Sequence, residues 1–596
     1  MEFRTHLMVC AGTACISCGA FNIKKLLEEE ISKQGLEKEI LVVGTGCQGF
    51  CAQGPIVVVQ PEDIFYQLLS PEDIPYLVEE HFLKGSPVKK LMYTPPGENI
   101  PIPKRSEIGF FKKQQLIALR NKGLIDAENI DDYIGRDGYN ALIKVLTAMS
   151  PEEIIEEIRN SGLRGRGGGG YPTGKKWESC RKAEGDQKYI ICNADEGDPG
   201  AYMDRSLIES DPHAVIEGML IGAAAIGAHE GFVYIRTEYP LAISRLEIAI
   251  GQAREYGLLG KDILGKGFDF DIEIKQGAGA FVAGESSALF ESIEGRAAIP
   301  RPKYIHATER GLWYKPTVLN NVETFANVPP IILRGSKWFS SIGTEKSKGT
   351  KVFSLVGNIN NTGLVEVPMG ITLREIIYDI GGGIPDNKAF KAVQTGGPSG
   401  GCIPASMIDL PVDFERLTAV GSMMGSGGMV VMDENTCMVD IARYFLEFTT
   451  DESCGKCSSC REGSSAMLAI LTKITEGNGK EGDIEFLEEL GHAIKDASQC
   501  GLGQSLPNPV LSTINNFREE YEAHIKDKKC PAHVCKALIN FHIDPEKCIG
   551  CTVCAVKCPV KAISGNRKEP HILDQAKCIK CGICYSVCKF NSVEVE

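Results

Sequence analysis

Short apolar runs separated by turn residues predict most of the strands in this chain. Between residues 5 and 60 the runs are THLMVC, EILVVG and PIVVVQ, and a charged amphipathic helix is predicted over residues 22–34. Farther along, KYIICNA, GFVYIRT and FDIEIKQ alternate with helical segments such as AISRLEIAIGQAREYG, which indicates an α/β layer architecture. The most apolar helical stretch, residues 214–228, is short and contains Glu217, so it predicts a core helix and no membrane span.

The second half of the chain predicts smaller units. Residues 351–383 indicate a strand, a turn, a second strand, a helix and a glycine stop, and helices follow in DIARYFLEF and FLEELGHAIKDA. A chain of 596 residues is too long for a single core. The predicted domains are residues 1–85, 106–345, 346–430, 431–520 and 541–596, with a Pro-, Lys- and Gly-bearing linker at 86–105 and a hinge at 521–540.

Charge and cysteine usage narrow the possible classes. A formal net charge of -14 argues against a nucleic-acid partner, since phosphate binding requires a basic face. The N-terminal MEFRTHLMVC has no basic segment followed by an apolar one, so no export signal is expected. The 23 cysteines fall in tight groups, the spacing of metal ligands and not of a disulfide framework. We therefore expect a cytoplasmic protein without a membrane partner.

Two cysteine pairs near the N-terminus predict a four-thiolate site. Cys10 and Cys15 follow the first predicted strand, and Cys47 and Cys51 follow the second. Two strand-to-loop junctions that each carry a pair fit a [2Fe-2S] cluster. The alternative is a set of structural cysteines scattered in a core. Cys18 is left as a spare thiol.

A third group predicts a [4Fe-4S] cluster. Cys454, Cys457 and Cys460 leave a cubane one ligand short, and Cys500, which follows the helix FLEELGHAIKDA, supplies the fourth. The alternative is a zinc knuckle. The isolated cysteines, which we expect to be buried small side chains, are Cys180, Cys192, Cys402 and Cys437.

The tail contains two C-x2-C-x2-C-x3-C runs, CIGCTVCAVKC and CIKCGICYSVC. In such pairs the fourth cysteine of each run ligates the other cluster. The predicted [4Fe-4S] ligand sets are Cys548, Cys551, Cys554 and Cys588, and Cys578, Cys581, Cys584 and Cys558. This internal duplication is typical of a bacterial-type ferredoxin domain.

Upstream of the tail, His524, Cys530 and Cys535 combine histidine and thiolate ligands, which suit Zn²⁺. The fourth ligand is left open between His533 and a distant cysteine. We predict a structural zinc ion at this hinge, with a spare thiol pair as the alternative.

A glycine stretch, GLRGRGGGGYPTGKKW from residue 162, predicts a cradle in which backbone can approach a flat, phosphorylated ligand. Residues 165–170 match GxGxxG, but the dinucleotide fingerprint needs a strand directly before it. Ser150-Pro-Glu-Glu instead begins a helix, so that fingerprint is rejected. A flexible linker is the alternative, although linkers rarely carry so many basic and aromatic residues among their glycines.

The glycine stretch, NADEGDPG, GAGAFVAGESSALFESIEGR, KPTVLNNVET and ESCGKCSSCREG together resemble the FMN- and NADH-binding subunit of respiratory complex I and its soluble relatives, over roughly residues 110–520. The resemblance implies a multidomain α/β plus α+β fold. Its implied parts are a thioredoxin-like [2Fe-2S] domain, a Rossmann-like FMN domain, a β-grasp domain, a helical [4Fe-4S] bundle and, in the tail, a two-cluster ferredoxin domain.

The resemblance also implies residue roles. The positions that match FMN contacts are Gly165, Arg166, Gly167, Tyr171, Lys176, Asn193, Asp195, Asn320, Asn321 and Thr324. Glu196 matches a position near the nicotinamide, and Phe281, Gly284 and Glu285 match positions that hold the dinucleotide. Glu196 and Glu285 are the candidate catalytic residues.

The chain departs from the family pattern next to Glu285, where Ser286 replaces a second acid, and at His306, where an aromatic residue is usual. A carboxylate near the adenosine ribose would repel a 2′-phosphate. Its loss, with His306, Arg301, Lys303 and Arg310 close in sequence, predicts that NADP(H) is tolerated or preferred. The alternative is that Ser286 is neutral and NAD(H) is retained.

A flavin beside iron–sulfur clusters exchanges a hydride with a nicotinamide and single electrons with iron. The fused N-terminal and tail modules resemble the flavin subunit of soluble electron-bifurcating [FeFe] hydrogenases. That resemblance implies an [FeFe]-hydrogenase catalytic subunit, a small [2Fe-2S] subunit and soluble ferredoxin as partners, in a higher oligomer of heterotrimers. The implied cofactors are FMN, NAD(P)(H), one [2Fe-2S] cluster and three [4Fe-4S] clusters. The Zn²⁺ ion is predicted separately, from His524, Cys530 and Cys535.

Other assignments stay open. The corresponding subunit of a bifurcating transhydrogenase, a non-bifurcating NADP-reducing hydrogenase or an NAD-dependent formate dehydrogenase carries the same flavin module. A structural electron relay with a vacant nucleotide site is the alternative outside the enzymes.

Overall fold

The computed structural model describes residues 3–302, 304 and 306–596. The chain divides into two compact units, Met1–Met432 and Asp433–Glu596. Within the described residues, no helix is long and apolar enough to cross a membrane. Lys303, one of the basic residues singled out near Ser286, lies outside the described residues.

The N-terminal sheet has the strand order β2-β1-β3-β4. Its elements are β1 (Thr5–Cys10), α1 (Thr13–Ser17), α2 (Ala20–Lys33), β2 (Ile40–Thr45), β3 (Val57–Gln60), β4 (Ile64–Tyr66) and α3 (Asp73–Leu77). Helix α2 buries Ala20, Ile23, Leu27 and Ile31, the one-sided spacing that its sequence predicts. Because β1 and β2 pair in parallel, both cysteine-bearing loops leave the same end of the sheet.

Residues 86–105, predicted from their composition to be a linker, form an ordered segment that packs on the N-terminal domain. Met92 and Tyr93 are buried, and isolated bridges join Tyr66 to Met92 and Tyr93 to Ile102. The Tyr93 ring also packs on Phe50, with 5.3 Å between ring centroids. The apolar side chains of VKKLMY hold the segment against the N-terminal domain, and the Pro and Gly residues shape its turns.

The sheet of residues 106–345 has four parallel strands in the order β7-β6-β5-β8. They are β5 (Tyr189–Ala194), β6 (Glu230–Arg236), β7 (Asp271–Gly277) and β8 (Thr317–Asn321). The strand order reverses between β5 and β8. In such doubly wound sheets, ligands bind in the crevice at the carboxyl ends of the strands where the order reverses.

Helices surround this sheet. They are α4 (Gly109–Lys112), α5 (Ile130–Ile134), α6 (Asn140–Ala148), α7 (Pro151–Ser161), α8 (Thr173–Lys182), α9 (Met203–Ser210), α10 (Pro212–Ile226), α11 (Pro240–Glu255), α12 (Ser286–Ile293), α13 (Ala307–Arg310), α14 (Val322–Ala326), α15 (Val328–Arg334) and α16 (Ser336–Ser340). The apolar helix α10 is buried in the core, as predicted. Its Glu217 carboxylate accepts hydrogen bonds from the Tyr133 hydroxyl at 2.6 Å and the Leu142 N–H at 3.1 Å, which satisfies the buried acid.

Residues 346–433 contain a five-stranded sheet in the order β10-β9-β13-β11-β12. Its elements are β9 (Thr350–Gly357), β10 (Gly363–Pro368), β11 (Phe390–Thr395), β12 (Gly401–Pro404), α17 (Phe414–Ala419) and β13 (Gly428–Asp433). The predicted helix after the first hairpin is a π-helical turn at Glu375–Ile380. One hydrophobic core joins this sheet to the N-terminal domain, since Leu7, Phe65 and Tyr93 belong to the same buried cluster as Phe353 and Leu373.

The second unit begins with helices and ends in two small antiparallel ladders. The helices are α18 (Met438–Asp451), α19 (Ser458–Thr475), α20 (Asp483–Ala497), α21 (Gly501–Ser505) and α22 (Asn508–Glu522). The tail elements are β14 (Phe541–Ile543), α23 (Val553–Lys557), β15 (Ile563–Ser564), β16 (Ile572–Leu573), α24 (Ile583–Val587) and β17 (Val593–Val595). Strand β14 pairs with β17, and β15 pairs with β16.

Candidate functional site

The glycine stretch forms a closed loop between α7 and α8. Helix α7 begins with a capping box between Ser150 and Glu153 and ends at Gly162 in the left-handed conformation. The Gly165 N–H donates to the Tyr171 carbonyl at 2.9 Å, which closes the loop, and the Tyr171 side chain is exposed. A helix therefore precedes GxGxxG, in agreement with rejecting the dinucleotide fingerprint.

Close approach explains two of the glycines. A Cβ on Gly167 would lie 2.9 Å from the Asn321 Cβ. Gly168 has φ +119°, and a Cβ there would lie 3.3 Å from the Gly425 carbonyl carbon, whereas a Cβ on Gly169 would meet nothing within 4 Å. The backbone geometry, and not flexibility, thus requires glycine here.

The loop is anchored at the point where the strand order reverses. The Arg166 N–H donates to Thr324 Oγ1 at 2.9 Å, and Lys176 Nζ donates to the Leu319 carbonyl at 2.7 Å. Trp177 Nε1 donates to Asn320 Oδ1 at 3.2 Å. The loop and the end of β8 are therefore held together at the carboxyl edge of the sheet.

Buried donors in this crevice lack acceptors. Within the described residues, Arg166 Nε and Asn320 Nδ2 are buried without a hydrogen-bond partner. Burial lowers the pKa of Arg166 to about 10 and that of Lys176 to about 8. An anion with several acceptor oxygens would satisfy these groups, so the donor set fits a phosphorylated, polar-edged ligand such as FMN.

The loop after β5 carries acids with raised pKa values. Glu196 is buried, and its carboxylate accepts hydrogen bonds from the N–H groups of Met203 at 2.9 Å and Asp204 at 3.2 Å, at the start of α9. Burial raises the pKa of Glu196 to about 7 and that of Asp198 to about 6. The Asp198 carboxylate accepts from Ser426 Oγ at 2.7 Å. A protonatable carboxyl group thus lies beside the carboxyl edge.

The segment after β7 faces the same loop. Asn193 Nδ2 donates to the Gly284 carbonyl at 2.9 Å, and a Cβ on Gly284 would lie 3.3 Å from the Asp195 carbonyl oxygen. A Cβ on Gly197 would lie 2.9 Å from the Phe281 ring. The structure therefore brings the residues predicted for the dinucleotide next to those predicted for the flavin.

Glu285 has a capping role at the N-terminus of α12. Its carboxylate accepts from the N–H groups of Ser287 at 2.9 Å and Ala288 at 3.0 Å. Ser286 is the first residue of α12. The contacts of Glu285 show how its side chain is fixed, and its predicted catalytic role remains a prediction.

The basic residues near Ser286 differ in availability. Arg301 Nη2 pairs with Glu294 at 2.8 Å, and Arg301 also bonds to Glu291. His306 and Arg310 are exposed at the two ends of α13. Arg301 is already paired with Glu291 and Glu294. Among the described basic residues of this segment, His306 and Arg310 are therefore the ones available to a 2′-phosphate.

The four N-terminal cysteines form one group. The pKa of Cys10 is raised, chiefly by the contact of its thiol with the Cys15 thiol and next by its contact with the Cys47 thiol. The contact of Cys47 with Cys10 and Cys51 lowers the pKa of Cys47. Backbone N–H groups also point at these sulfurs, since Gln48 donates to Cys10 Sγ at 3.3 Å and Gly49 to Cys47 Sγ at 3.2 Å. Four sulfurs with N–H donors suit a thiolate-held cluster.

Helix α9 connects this cysteine group to the acid loop. The Cys47 N–H donates to Ser210 Oγ at 2.9 Å, and the Thr13 N–H donates to Glu209 Oε2 at 3.0 Å. Tyr202, at the other end of α9, lies beside the Cys51 thiol. One eight-residue helix therefore contacts both the Glu196 carboxylate and the cysteine group.

In the second unit, each predicted iron–sulfur set is brought together. Burial and then the charges of Cys457, Cys500 and Cys454 raise the pKa of Cys460, so these four thiols are neighbours. In the tail, one cavity is lined by Cys548, Cys551, Cys554 and Cys588, and a second by Cys558, Cys578, Cys581 and Cys584. The crossed pairing predicted from the spacing is the one that the two cavities contain.

Five known domain families match the chain. They are the thioredoxin-like [2Fe-2S] ferredoxin over residues 3–81, the Nuo51 FMN-binding domain over 158–330, the SLBB domain over 352–403, the NADH-ubiquinone oxidoreductase-F iron-sulfur binding region over 440–524 and the 4Fe-4S dicluster domain over 541–595.

Similar proteins share most of this architecture. The NADP-reducing hydrogenase subunit HndC of Solidesulfovibrio fructosivorans is 60% identical over 482 residues, which cover 81% of this chain and 98% of that protein. The chain belongs to the Nuo51-like family of FMN-binding subunits. An NADH-quinone oxidoreductase subunit of Rhizobium meliloti is 46% identical over 70% of this chain and 99% of its own length. The crystal structure of an NAD⁺-reducing [NiFe]-hydrogenase in the H₂-reduced state superposes with a TM-score of 0.62 at 29% identity, covering 88% of this chain and 85% of that one.

Several predictions are confirmed by this membership. The chain is an NAD(P)-dependent flavin and iron–sulfur oxidoreductase subunit of the hydrogenase and complex I type. Its fold class is the predicted one, with thioredoxin-like, FMN-binding, SLBB and [4Fe-4S] regions. The chain has an FMN-binding domain, a [2Fe-2S] domain and [4Fe-4S] binding regions.

A histidine and three cysteines form a further group in this Nuo51-like protein. Ligand atoms of Cys437, His524, Cys530 and Cys535 all lie within 4.8 Å of one another and are buried. The prediction that Cys437 is an isolated thiol was therefore wrong. Of the two options left open for the fourth member, the distant cysteine, Cys437, and not His533, lies in the group. Sequence spacing could not find it because Cys437 precedes α18, far from the other three residues. The His524 Nδ1 atom bonds to the Glu520 carbonyl at 2.7 Å, which leaves Nε2 toward the three sulfurs.

Sequence reasoning also missed Arg236. It ends β6, and its Nη1 lies 3.3 Å from Asp195 Oδ1 while its Nη2 donates to the Gly279 carbonyl at 2.8 Å. Arg236 therefore ties the acid loop to the segment before Phe281. Its position at the carboxyl end of a predicted parallel strand was the available signal.

Proposed function

We propose that this chain is the flavin subunit of a soluble electron-bifurcating [FeFe] hydrogenase. It would work with a hydrogenase catalytic subunit and a small [2Fe-2S] subunit in a higher oligomer of heterotrimers, in the cytoplasm. Electrons from H₂ would be divided between NAD(P)⁺ and ferredoxin. The presence of an N-terminal [2Fe-2S] domain, a Nuo51-like domain and a ferredoxin-like tail in one chain supports this assignment.

FMN, when bound, exchanges a hydride with a nicotinamide and single electrons with iron–sulfur clusters. In the proposal, Arg166 and Lys176 bind its phosphate. The loop glycines leave room for it, and the polar groups at the ends of β5 and β8 bind its ribityl chain and ring edge. These glycine and polar residues are Gly165, Gly167, Asn193, Asp195, Asn320, Asn321 and Thr324.

Glu196, Phe281 and Gly284 orient the nicotinamide in this proposal, since Phe281 and Gly284 approach Gly197 and Asp195, the two neighbours of Glu196 in the chain. The single observation that carries the function is α9, which contacts both the Glu196 carboxylate and the [2Fe-2S] cysteines. In the proposal, α9 therefore provides a short covalent and hydrogen-bonded connection between the site of hydride transfer near Glu196 and the [2Fe-2S] cluster, which carries single electrons.

The proposed clusters are one [2Fe-2S] on Cys10, Cys15, Cys47 and Cys51, and three [4Fe-4S] clusters. The first [4Fe-4S] is on Cys454, Cys457, Cys460 and Cys500, and the other two are on the crossed sets of the tail. The tail would pass electrons to soluble ferredoxin.

A structural Zn²⁺ on Cys437, His524, Cys530 and Cys535 completes the proposal. Three sulfurs and one imidazole nitrogen are a common tetrahedral zinc set. The closeness and burial of the four donors support it.

The complex purified from its source tests the proposal. We expect FMN, iron and sulfide in the proportions of one [2Fe-2S] and three [4Fe-4S] clusters per chain, together with an [FeFe]-hydrogenase chain. We also expect that H₂-dependent NAD(P)⁺ reduction requires oxidised ferredoxin. Reduction of NAD(P)⁺ at full rate without ferredoxin would contradict bifurcation.

A second candidate is a non-bifurcating NADP-reducing hydrogenase, favoured by the 60% identity to a protein with that name. The same assay separates the two, because the non-bifurcating enzyme needs no ferredoxin. A co-purifying second flavoprotein or molybdopterin enzyme would instead indicate a transhydrogenase or a formate dehydrogenase. Absence of NAD(P)H:viologen activity with FMN added would indicate a structural relay.

A further inference from the structure

The two halves of the tail are structural repeats, and each position of the first half has its counterpart 30 residues later, as Cys548 and Cys578 show. Helix α23 corresponds to α24, and the turn before each first cysteine repeats its hydrogen bonds. The Cys548 N–H donates to the Asp544 carbonyl at 3.0 Å, and the Cys578 N–H donates to the Asp574 carbonyl at 3.1 Å. This repeat makes Phe541 and His571 counterparts.

Phe541 and His571 each line one of the two cysteine cavities. His571 borders the cavity of Cys548 and Cys588, and Phe541 borders the cavity of Cys578 and Cys558. The backbone N–H of His571 also donates to Cys548 Sγ at 3.4 Å. The repeat thus presents an imidazole to one ligand set and a phenyl ring to the other.

The imidazole of His571 is buried without a partner. Its residue is 3% exposed, and in the described part of the chain neither ring nitrogen has a hydrogen-bond partner. One ring nitrogen of a neutral imidazole always carries a proton, whichever tautomer is present. A buried N–H without an acceptor is unfavourable, and sulfur atoms of a cluster in this cavity would supply one. Phe541 offers no such donor.

We propose that His571 donates an imidazole N–H hydrogen bond to sulfur of the [4Fe-4S] cluster held by Cys548, Cys551, Cys554 and Cys588, and that this bond raises the reduction potential of that cluster above that of its twin. The inference rests on the proposed cluster assignment of the tail. Hydrogen bonds to cluster sulfurs stabilise the more negative, reduced state. The lower-potential cluster is then the one beside Phe541, and the repeat is electronically asymmetric.

The test uses the full-length holoprotein and EPR-monitored redox titration, with iron and sulfide analysis of every sample. His571→Phe copies the residue of the other half. We expect it to lower the reduction equilibrium constant of one tail cluster about tenfold, about 59 mV for one electron, and to leave the other unchanged. His571→Gln retains an N–H donor and should recover part of the shift.

The reciprocal variant, Phe541→His, should raise the potential of the other tail cluster. Unchanged potentials in both His571→Phe and Phe541→His, at full iron content, would overturn the role of His571. If His571→Phe loses iron, Phe541→His decides alone, and an unshifted cluster there overturns the inference. A wild-type tail with fewer than two [4Fe-4S] clusters would instead overturn the cluster assignment, which the iron and sulfide analysis detects separately.

Discussion

The two-cluster tail and the carboxyl edge of the four-stranded sheet assemble their candidate ligands in opposite ways. In the tail, eight cysteines lie within 41 positions, between Cys548 and Cys588, and short turns bring them to two cavities. At the sheet edge, the Arg166 N–H and Thr324 Oγ1 meet at 2.9 Å across 158 positions. Local spacing defines the first kind of site, whereas parallel strand order defines the second.

The group of Cys437, His524, Cys530 and Cys535 combines both kinds of assembly, because three of its members are close in sequence and Cys437 is distant. Loss of one of its ligand atoms should have the largest effect among the changes considered. Cys437→Ser removes one of four donors, so we expect zinc affinity to fall by at least about 100-fold, beyond the 10–100-fold typical of losing an outer-shell partner. Metal analysis after dialysis against a mild chelator measures it.

Cys180→Ser is the matched control, since Cys180 is also a buried thiol but lies outside the metal group. Equal zinc content in both variants would show that Cys437 is not a ligand.

At the sheet edge, adding one methyl group at either of two neighbouring glycines should show whether FMN binding depends on the backbone conformation of the loop or only on its glycine content. Gly168→Ala places a Cβ at φ +119°, and Gly169→Ala places one in open space. Left-handed conformations cost non-glycine residues roughly 1–2 kcal/mol, so we expect FMN binding to weaken about tenfold or more in Gly168→Ala only. Fluorescence titration with FMN measures this, and equal affinities in the two variants would contradict the cradle.

The acid loop predicts a pH dependence. Burial raises the pKa of Glu196 to about 7, so its carboxyl group loses its proton as pH rises through that value. The same raised pKa means that its contribution to folding stability declines as pH rises from about 4.5 to about 7. The rate of NAD(P)H oxidation should show an inflection near pH 7 that Glu196→Gln removes. A wild-type profile that is flat from pH 6 to 8 would speak against a nicotinamide role.

The choice of nucleotide should respond to one residue of α12. Ser286→Glu restores an acid beside Glu285, and like charges a few ångströms apart repel by roughly 1–4 kcal/mol. If the 2′-phosphate binds here, kcat/KM should fall several-fold for NADPH and stay unchanged for NADH. Equal changes for both nucleotides would place the 2′ position elsewhere.

The smallest expected effect concerns the junction at α9. Ser210→Ala removes the acceptor of the buried Cys47 N–H, and a buried donor left without a partner costs about 1–3 kcal/mol of stability. Denaturant unfolding with a spectroscopic probe of the [2Fe-2S] domain measures it. Ser505→Ala, on an exposed hydroxyl bonded within its own helix, is the comparison and should change little.

The comparison explains how much the sequence could predict. The crossed tail pairs were predictable because a thiolate cluster limits ligand spacing to a few residues. The segments NADEGDPG and KPTVLNNVET were identified through their resemblance to the family. The reversal of strand order that places Asn193 beside Asn321 required the fold. Cys437 and Arg236 were missed because each reaches its partners only through tertiary packing, which apolar periodicity does not encode. The packing of residues 86–105 was missed for the same reason.

The buried cluster that joins Leu7, Phe65 and Tyr93 to Phe353 and Leu373 has a consequence for dissecting the protein. A fragment that starts after residue 105 would expose a large apolar surface to water, and the isolated N-terminal domain would expose the complementary apolar surface. Expression of either piece should therefore yield aggregates, and the linker predicted from composition at residues 86–105 is a poor place to divide the chain.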